Sequence, residues 1–370
     1  MIYLDNGATS FNKPPQVKQA VFKAMERCAN PGRGGYRAAM EAARVVYECR
    51  EAAGKLFHCN PEQVVLTSNC THGLNIAIRS LVKPGDSVLV SGFEHNAVVR
   101  PLYALGAKLT VAGRKLFDWE DTLDQWENAL KKGPKVAFFT HVSNVFGYIL
   151  PIEAMSEMCR RYEVPFVLDA AQSAGSIPID LQALGAAFIA MPGHKGLLGP
   201  QGTGLLLCNQ TPEPLLYGGT GGSSLSHEMP SDLPDRAEAG TVNVPGAAGL
   251  TAGINYLHRV GVESVGRKEK LQADHCVQEL KKMGIQVFTG DHRSGTFSIL
   301  PEIDCEEAAS FFAEQGIALR AGLHCAPLAH ESAGTVGTGT LRVSFGHDAD
   351  LLQTRRFLQT AKHLKQREKL

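Results

Sequence analysis

Short apolar runs alternate with helical stretches from about residue 60 to residue 210, and this alternation constrains the fold more than any other feature of the chain. Helical patterns lie between the runs, as at 74–81, 121–131 and 152–162. Strands that are apolar throughout and separated by helices predict an α/β fold with a mostly parallel sheet that is covered on both faces. The predicted strands are 64–67, 88–90, 136–140, 166–168 and 188–190.

The rest of the chain follows a different pattern. Residues 211–245 are rich in Gly, Pro and Ser, and such a long irregular stretch is usually functional or lies at an interface. A helical region at 246–283 comes next. Strand-like pieces at 285–288, 296–300 and 341–345, with a helix at 306–314, then predict a smaller α+β domain. A length of 370 residues also favours about two domains.

Composition excludes several classes of protein. Lys+Arg and Asp+Glu both number 37, so the chain lacks the basic excess that a broad nucleic-acid surface needs. No apolar run reaches the roughly 18 residues of a membrane-spanning helix, and the N-terminus does not resemble a secretory signal. The nine Cys are scattered without a C-x-x-C pair. We therefore expect a cytoplasmic protein that binds neither nucleic acid nor membrane.

Two residues at predicted strand ends suggest a chemistry. Lys195 follows a strand in a Gly-rich turn with apolar neighbours, where desolvation would depress its pKa as a Schiff-base lysine requires. Asp169 ends the strand before it, at the edge where open α/β sheets bind ligands. Each could instead be structural. Together they fit pyridoxal 5′-phosphate (PLP), whose pyridine nitrogen stays protonated when paired with an Asp.

A phosphate site is predicted at the start of the helix after the first strand. The segment 67–73 includes Thr71 and His72, and a helix start offers free N–H groups and a positive dipole end. An ordinary helix cap is the alternative. Neither a G-x-x-x-x-G-K-[ST] nor a G-x-G-x-x-G motif is present, so the sequence gives little support to a nucleotide site.

Eight motifs occur in order along the chain: SNCTHGLN (68–75), FEHN (93–96), SNVFG (143–147), LDAAQSAG (168–175), GHKGLLGPQGTG (193–204), EAGTVN (238–243), RAGLHCAP (320–327) and RVSFG (342–346). Together they resemble class V aminotransferase-fold cysteine desulfurases, and in particular the group II, selenocysteine lyase-like members. The resemblance runs from Leu4 to Arg342, nearly the whole chain. It implies a PLP-dependent transferase of fold type I, with a large PLP-binding domain at 15–250 and a small domain made of 1–14 with 251–370.

The resemblance also implies roles for single residues. Lys195 would form the Schiff base with PLP, Asp169 would pair with the ring nitrogen, Gln172 would bond the phenolic oxygen and His95 would stack on the ring. The phosphate would be held by Thr71, His72 and His194, with Thr241 from the second subunit of a homodimer that shares its active sites. The substrate side would include Asn144 and Arg342 as carboxylate ligands, with Gly7, Ala8 and the 33–36 loop at its border.

Two positions depart from the family pattern. Pro192 stands where many relatives have a phosphate-binding Ser, and Tyr36 replaces a histidine found in some relatives. The first removes a hydroxyl contact, and the second changes the polarity beside the substrate. Neither lies in the core chemistry of the predicted site.

Cys325 is the candidate nucleophile. Gly322, His324 and Pro327 around it suggest a structured, accessible loop, and a nearby imidazole or Arg favours a reactive thiolate. The alternative is one more buried Cys. For Arg342 the alternative is an ion pair with an internal acid. His324, His330 and Cys325 could be read as metal ligands, but the set is incomplete, so we expect no metal.

The predicted reaction converts L-cysteine to L-alanine. Lys195 takes the Cα proton, the Cys325 thiolate attacks the substrate sulfur, and the resulting persulfide passes to an acceptor protein; His95 would move a proton near the substrate thiol. One alternative is a selenocysteine lyase, or another class V PLP lyase or aminotransferase, that does not use Cys325. The other is a non-catalytic sulfur carrier or scaffold with the same fold.

Overall fold

A computed structural model describes residues 1–32, 34–222 and 225–367. Its strands are β1 (Ile2–Tyr3), β2 (Val64–Thr67), β3 (Ser87–Ser91), β4 (Lys108–Ala112), β5 (Val136–Thr140), β6 (Phe166–Asp169), β7 (Phe188–Pro192), β8 (Gly204–Cys208), β9 (Gln286–Phe288), β10 (Thr296–Leu300), β11 (Ile317–Ala318), β12 (Arg320–Gly322) and β13 (Thr340–Ser344). Its helices are α1 (Pro15–Arg27), α2 (Arg37–Phe57), α3 (Cys70–Leu81), α4 (Asn96–Ala104), α5 (Trp119–Leu130), α6 (Ile152–Arg161), α7 (Leu181–Leu184), α8 (Val244–Val260), α9 (Val262–Lys282), α10 (Cys305–Glu314), α11 (Pro327–Ala333) and α12 (Leu351–Arg367).

A seven-stranded sheet forms the centre of the larger part. Its order is β2-β8-β7-β6-β5-β3-β4, and the neighbours from β7 through β6, β5 and β3 to β4 are parallel. β5, β6, β7 and β8 are buried along their whole length, as strands covered on both faces should be. The α/β fold class and the mostly parallel sheet are therefore confirmed. The parallel strands end at one edge, where the candidate residues collect.

The structure adds strands that the sequence analysis did not identify. β8 lies antiparallel between β2 and β7, and β4 forms the other edge of the sheet. β4 is only partly buried and begins with an exposed Lys108, so its sequence lacks the continuous apolar run of a central strand. The predicted helical region 246–283 is two helices, α8 and α9, since Gly261 between them has a positive φ of 83°.

The smaller part is built on a four-stranded antiparallel sheet of order β12-β13-β10-β9. The N-terminal strand β1 pairs with β11, so the first residues of the chain pack with the C-terminal part. This pairing supports the predicted grouping of 1–14 with 251–370, although the exact domain limits stay a prediction. Within the described residues no helix is both long and apolar enough to cross a membrane.

The irregular segment before α8 is anchored by a buried ion pair. Arg50 on α2 donates to both carboxylate oxygens of Glu238, at 2.8 and 2.7 Å, and also to the carbonyl of Val64. Glu238 Oε1 accepts a further bond from the N–H of Leu66 at 2.6 Å. The two charged side chains are 8% and 7% exposed, so each needs the other. This pair fixes the EAGTVN segment against α2 and β2.

Replacing Arg50 by Met should destabilise the protein strongly, because Glu238 would remain buried without a cation. Loss of one partner of a buried pair costs about 3–5 kcal/mol. Urea unfolding at neutral pH measures the change. The control is Arg44→Met on the same helix, because Arg44 and Glu48 form an exposed pair worth about 0.5 kcal/mol. Equal losses of unfolding free energy in the two variants would show that the buried ion pair stabilises the fold no more than the exposed pair does.

Candidate active site

Asp169 ends β6 at the carboxyl edge of the sheet. Its side chain is 3% exposed, and burial raises the pKa of its carboxyl group. The N–H of Ala171 at 2.9 Å, the charge of Lys195 and the thiol of Cys70 act against that rise. Both hydrogen bonds to this carboxylate fall on Oδ1, since Cys70 Sγ lies 3.5 Å from the same atom. The other oxygen, Oδ2, takes part in neither bond.

Lys195 lies in the turn after β7, the strand beside β6. Asp169 and Ala190 are register partners in these strands, which places the lysine and the carboxylate at the same edge. Burial lowers the pKa of the Lys195 amine, and the charges of Arg342 and Arg320 add to this change, whereas the Asp169 carboxylate opposes it. A lysine in this environment is more readily neutral, and the neutral amine is the form that attacks a carbonyl group.

The start of α3 lies beside this pair. Asn69 caps the helix by accepting a hydrogen bond from the N–H of His72 at 2.9 Å. The other first-turn N–H groups have no partner within the helix, as at any helix start. Thr71 is exposed there, and Gly73 faces Ala190 of β7 and Leu206 of β8. His72 Nε2 is buried and has no hydrogen-bond partner among the described residues.

His95 caps α4 through its ring. Nδ1 accepts a hydrogen bond from the N–H of Ala97 at 3.0 Å, which assigns the proton of the neutral ring to Nε2. Burial, with the charges of Lys195, Arg320, Arg342 and Arg100, lowers the pKa of His95 to about 4. The imidazole is therefore neutral near pH 7, and it can donate a hydrogen bond from Nε2.

The N-terminal segment crosses the site and contacts two predicted cofactor ligands. Gln172 Nε2 donates to the carbonyl of Gly7 at 2.9 Å, and Ala8 lies half-buried beside it. His194 Nδ1 lies 3.0 Å from the hydroxyl of Thr9, and burial lowers the pKa of this histidine to about 4. Because a hydroxyl can donate or accept, His194 can carry its proton on Nε2 and offer it to a phosphate.

Arg342 on β13 is buried, and in this structure it is ion-paired. Nη2 donates to Asp5, Nη1 donates to the carbonyl of Asn144 at 3.0 Å, and Nε has no partner among the described residues. The internal acid that the sequence left open as an alternative is thus present. A substrate carboxylate that used Arg342 in a bidentate manner would have to displace Asp5.

Asn144 has a different contact from the one expected. Its Nδ2 donates to the carbonyl of His324 at 2.7 Å, which ties it to the loop that carries Cys325. The buried Oδ1 has no partner among the described residues, and an amide oxygen accepts hydrogen bonds only. Carboxylate binding by Asn144 therefore stays a prediction, and the observed contact is with the loop.

Cys325 lies in a short turn between β12 and α11. It is the exposed one of the nine cysteines, and the structure describes all nine as free thiols. Its carbonyl accepts a hydrogen bond from the N–H of Asn96 at 2.8 Å, at the start of the helix that His95 caps. His324 and Cys325 both have positive φ, 48° and 57°, which non-glycine residues rarely adopt. The turn is held in place rather than free to extend.

His324 does not activate the thiol as the sequence suggested. It is 4% exposed, and Nε2 lies 3.1 Å from the carbonyl of Thr340, so it carries the proton and donates. Burial lowers the pKa of its imidazole to about 2, and the ring is neutral at any working pH. His330 stacks against it and is also buried. No group of three potential metal-ligating side chains occurs among the described residues.

Thr241 and His72 line one cavity of about 180 Å³ in the same chain, beside the start of α3. Thr241 is exposed in the irregular segment. Its contact with a phosphate in a partner subunit stays a prediction. In the substrate-side loop, Tyr36 is exposed and precedes α2, while Arg33 lies outside the described residues, as do Ser223 and Ser224 of the irregular segment.

Comparison with known proteins gives the family. The model of the class V aminotransferases matches residues 2–356. The chain belongs to the class V aminotransferase family. A probable cysteine desulfurase of Methanothermobacter thermautotrophicus is 31% identical, with 90% of this chain and 88% of that protein covered. A cysteine desulfurase of Haloferax volcanii is 30% identical, with 93% and 85% covered.

Solved structures agree with the sequence relatives. The apo structure of a cysteine desulfurase from Thermococcus onnurineus has a TM-score of 0.90 at 29% identity, with 99% of this chain and 94% of that chain covered. The Escherichia coli cysteine desulfurase CsdA gives 0.85 at 25% identity, with 98% and 94% covered. The resemblance seen in the sequence motifs is confirmed.

Class V aminotransferases are PLP enzymes, and the residues of this member fit that cofactor. Asp169 is a buried carboxylate that forms no ion pair within the described part of the chain, so a cationic ring nitrogen would supply its missing partner. Lys195 beside it is a candidate for the covalent attachment, and the first turn of α3 offers donors for a phosphate. Because residue 192 is Pro, this position offers no side-chain hydroxyl to the phosphate.

Two charged residues beside the candidate site were not singled out from the sequence. Glu94 is fully buried and binds the hydroxyl of Ser91 and the N–H of Thr140, and burial raises its pKa to about 8. Arg320 is the register partner of Arg342, and its charge acts on His95 and Lys195. Both stand in quoted motifs, one before His95 and one at the head of RAGLHCAP, but their roles depend on strand pairing.

Alkylation should distinguish Cys325 from the other eight thiols. Six of these are buried and two are partly buried, so iodoacetamide should modify Cys325 well before any other cysteine in the native protein. Peptide mass mapping after brief labelling measures the order. Cys325→Ser should remove the fast phase, and Cys28→Ser, which changes a partly buried thiol, should leave it intact. Fast labelling that persists in Cys325→Ser would contradict the exposed position of this thiol.

Proposed function

We propose that this chain is a PLP-dependent cysteine desulfurase that converts L-cysteine to L-alanine and leaves a persulfide on Cys325. One observation carries the proposal: the exposed thiol is fixed by its backbone contact to Asn96, beside His95, at the edge where Lys195 and Asp169 meet. The named relatives at about 30% identity support the same activity.

Six side chains and one helix start would hold the cofactor. Asp169 would pair with the ring nitrogen, Gln172 would bond the phenolic oxygen, and His95 would stack on the ring. Thr71, His72 and His194 would bind the phosphate at the start of α3, where the helix dipole favours an anion. When bound, PLP supplies an electron-withdrawing ring that makes the Cα–H of an attached amino acid acidic.

Lys195 would move the Cα proton, and His95 would hydrogen-bond the substrate. Burial lowers the pKa of the Lys195 amine, which makes its neutral form available to remove the Cα proton. His95 is neutral and has its proton on Nε2, the atom that is free of the contact with Ala97. In this form it would donate a hydrogen bond from Nε2 to the substrate, because a neutral imidazole does not release its N–H proton near neutral pH. It would take up a proton at Nε2 only after a change of tautomer.

Two arginines would attract the carboxylate of the substrate. Arg320 and Arg342 face each other across the β12–β13 pair, and Asp5 neutralises Arg342 in this structure. A substrate carboxylate that replaces Asp5 keeps the buried guanidinium paired, so the exchange avoids an unpaired charge. This position for the carboxylate would leave the substrate side chain to meet Cys325.

The thiol of Cys325 would carry out the group transfer. Its sulfur forms an S–S bond with the substrate sulfur as the Cβ–S bond of L-cysteine breaks, and the pair of electrons from that bond remains on carbon. Cβ then receives a proton and becomes the methyl group of alanine. The sulfur leaves as a persulfide on Cys325, to be passed to an acceptor protein. All nine cysteines are free thiols, which fits a reducing compartment such as the cytoplasm.

Substitution of Cys325 by Ser tests the activity. The variant should bind PLP and L-cysteine as the parent does, because no cofactor contact is removed, and it should form no persulfide, because a hydroxyl attacks sulfur poorly. Alanine and protein-bound persulfide are measured after addition of L-cysteine. Lys195→Ala is the control. Borohydride reduction should fix PLP covalently to the parent protein and should not fix it to this variant.

The outcome also decides between the two enzyme classes. If Cys325→Ser makes alanine from L-cysteine at the parental rate, the desulfurase mechanism is wrong, and a class V lyase that does not use Cys325 takes its place. Alanine release from selenocysteine, with loss of the L-cysteine reaction alone, would indicate a selenocysteine lyase. If the parent protein binds no PLP at all, the remaining alternative is a non-catalytic sulfur carrier or scaffold with the same fold.

The active enzyme is also proposed to be a homodimer with shared active sites. Helices α1 and α2 expose the large apolar side chains Phe22, Met25, Met40 and Tyr47, between 48% and 69% exposed. Apolar surface of this kind is typical of a protein interface. The nearby irregular segment, anchored by Glu238, would then present Thr241 to the phosphate of the other subunit.

Mixed dimers test the sharing of sites. Lys195→Ala and Thr241→Asp should each be inactive, the second because a carboxylate would repel the phosphate. After the two are unfolded and refolded together, half of the dimers are mixed and each mixed dimer has one intact site. About a quarter of the parental specific activity should return. No recovery, with mixed dimers verified by mass spectrometry, would place Thr241 in the site of its own chain.

A further inference from the structure

A second thiol lies inside the proposed cofactor site and has no part in the reaction. Cys70 is the first residue of α3 and is 8% exposed. Its Sγ lies 3.5 Å from Oδ1 of Asp169, and this hydrogen bond acts to lower the pKa of the Asp169 carboxyl group. Lys195 is close enough for its charge to act on the pKa of the Cys70 thiol. The thiol is thus next to the two groups on which the proposed chemistry depends.

The backbone fixes the position of this thiol. The side chain of Asn69 caps α3, and the backbone carbonyl of Asn69 accepts a hydrogen bond from the hydroxyl of Thr67 at 3.0 Å. Gly204 of β8 packs so closely that a Cβ there would lie 2.7 Å from the carbonyl carbon of Asn69. Because Asn69 is held on two sides, the Cβ of Cys70 has a fixed direction toward the end of β6.

The thiol acts as a hydrogen-bond donor. Burial and the adjacent Asp169 raise the pKa of Cys70 well above its ordinary value, so it stays protonated near neutral pH. Oδ1 of Asp169 then receives two donors, the S–H of Cys70 and the N–H of Ala171. These two bonds set the rotation of the carboxylate and leave Oδ2 for another partner.

We propose that Cys70 is a positioning residue whose S–H orients the Asp169 carboxylate for its pairing with the ring nitrogen of the cofactor. The inference rests on the proposed binding of PLP. It gives a role to a buried thiol that is neither the proposed nucleophile nor one of the proposed phosphate ligands.

Two substitutions separate donation from packing. Cys70→Val has no donor and a similar volume, whereas Cys70→Ser keeps a donor on the same atom position. Cys276→Val, in the core of the smaller part of the molecule, is the matched control for loss of a buried thiol. The measurements are the Kd of PLP for each apoprotein, the thermal midpoint, and the ¹⁵N chemical shift of bound PLP labelled at its ring nitrogen.

Cys70→Val should weaken PLP binding by about three- to tenfold, the effect of one modest hydrogen bond, and shift the ring-nitrogen resonance toward the unprotonated value. Cys70→Ser should restore both, and Cys276→Val should leave both unchanged. Unchanged Kd and ¹⁵N shift in Cys70→Val would overturn the inference. So would equal losses in Cys70→Val and Cys70→Ser, which would show a packing role. Failure of the parent protein to bind PLP would refute the proposed function instead.

Discussion

The carboxyl edge of the parallel strands is the constraint on which the site depends. β6 and β7 are neighbours in register, and their ends bring a buried carboxylate and a desolvated amine together without a direct ion pair. Burial of charged groups without full pairing is unfavourable for folding alone. The rest of the fold must supply enough stability to hold these two groups in that state, and the fully buried strands β5 to β8 do so.

The N-terminal segment closes the site from the other side. A few residues after β1 reach Arg342 through Asp5, Gln172 through the carbonyl of Gly7, and His194 through Thr9. β1 pairs with β11 in the smaller part of the molecule. The segment that follows β1 therefore connects the four-stranded sheet with the residues at the edge of the seven-stranded sheet. Small changes in this segment would therefore act at once on residues of the proposed cofactor site and of the proposed substrate site.

The sequence predicted the central strands, the family and the residues that meet at the sheet edge, because apolar runs and ordered motifs are local signals. It missed β4, whose partly buried edge position breaks the apolar pattern, and it missed β8 although that strand is apolar and fully buried. It read α8 and α9 as one region because a single Gly261 separates them. The tautomer of His324 and the Asp5 partner of Arg342 depend on contacts between distant segments. Such contacts leave no periodic mark in the sequence.

The turn that carries Cys325 has little freedom to move. Its carbonyl groups are held by Asn96 and Asn144, and two successive residues have left-handed backbone angles. A sulfur atom attached to this thiol therefore has a reach of only a bond or two beyond the turn. Under the proposed mechanism, delivery would therefore fall to the recipient: an acceptor would have to insert its own thiol at this surface, so docking of the acceptor, and not movement of a flexible loop, would set the speed of sulfur transfer.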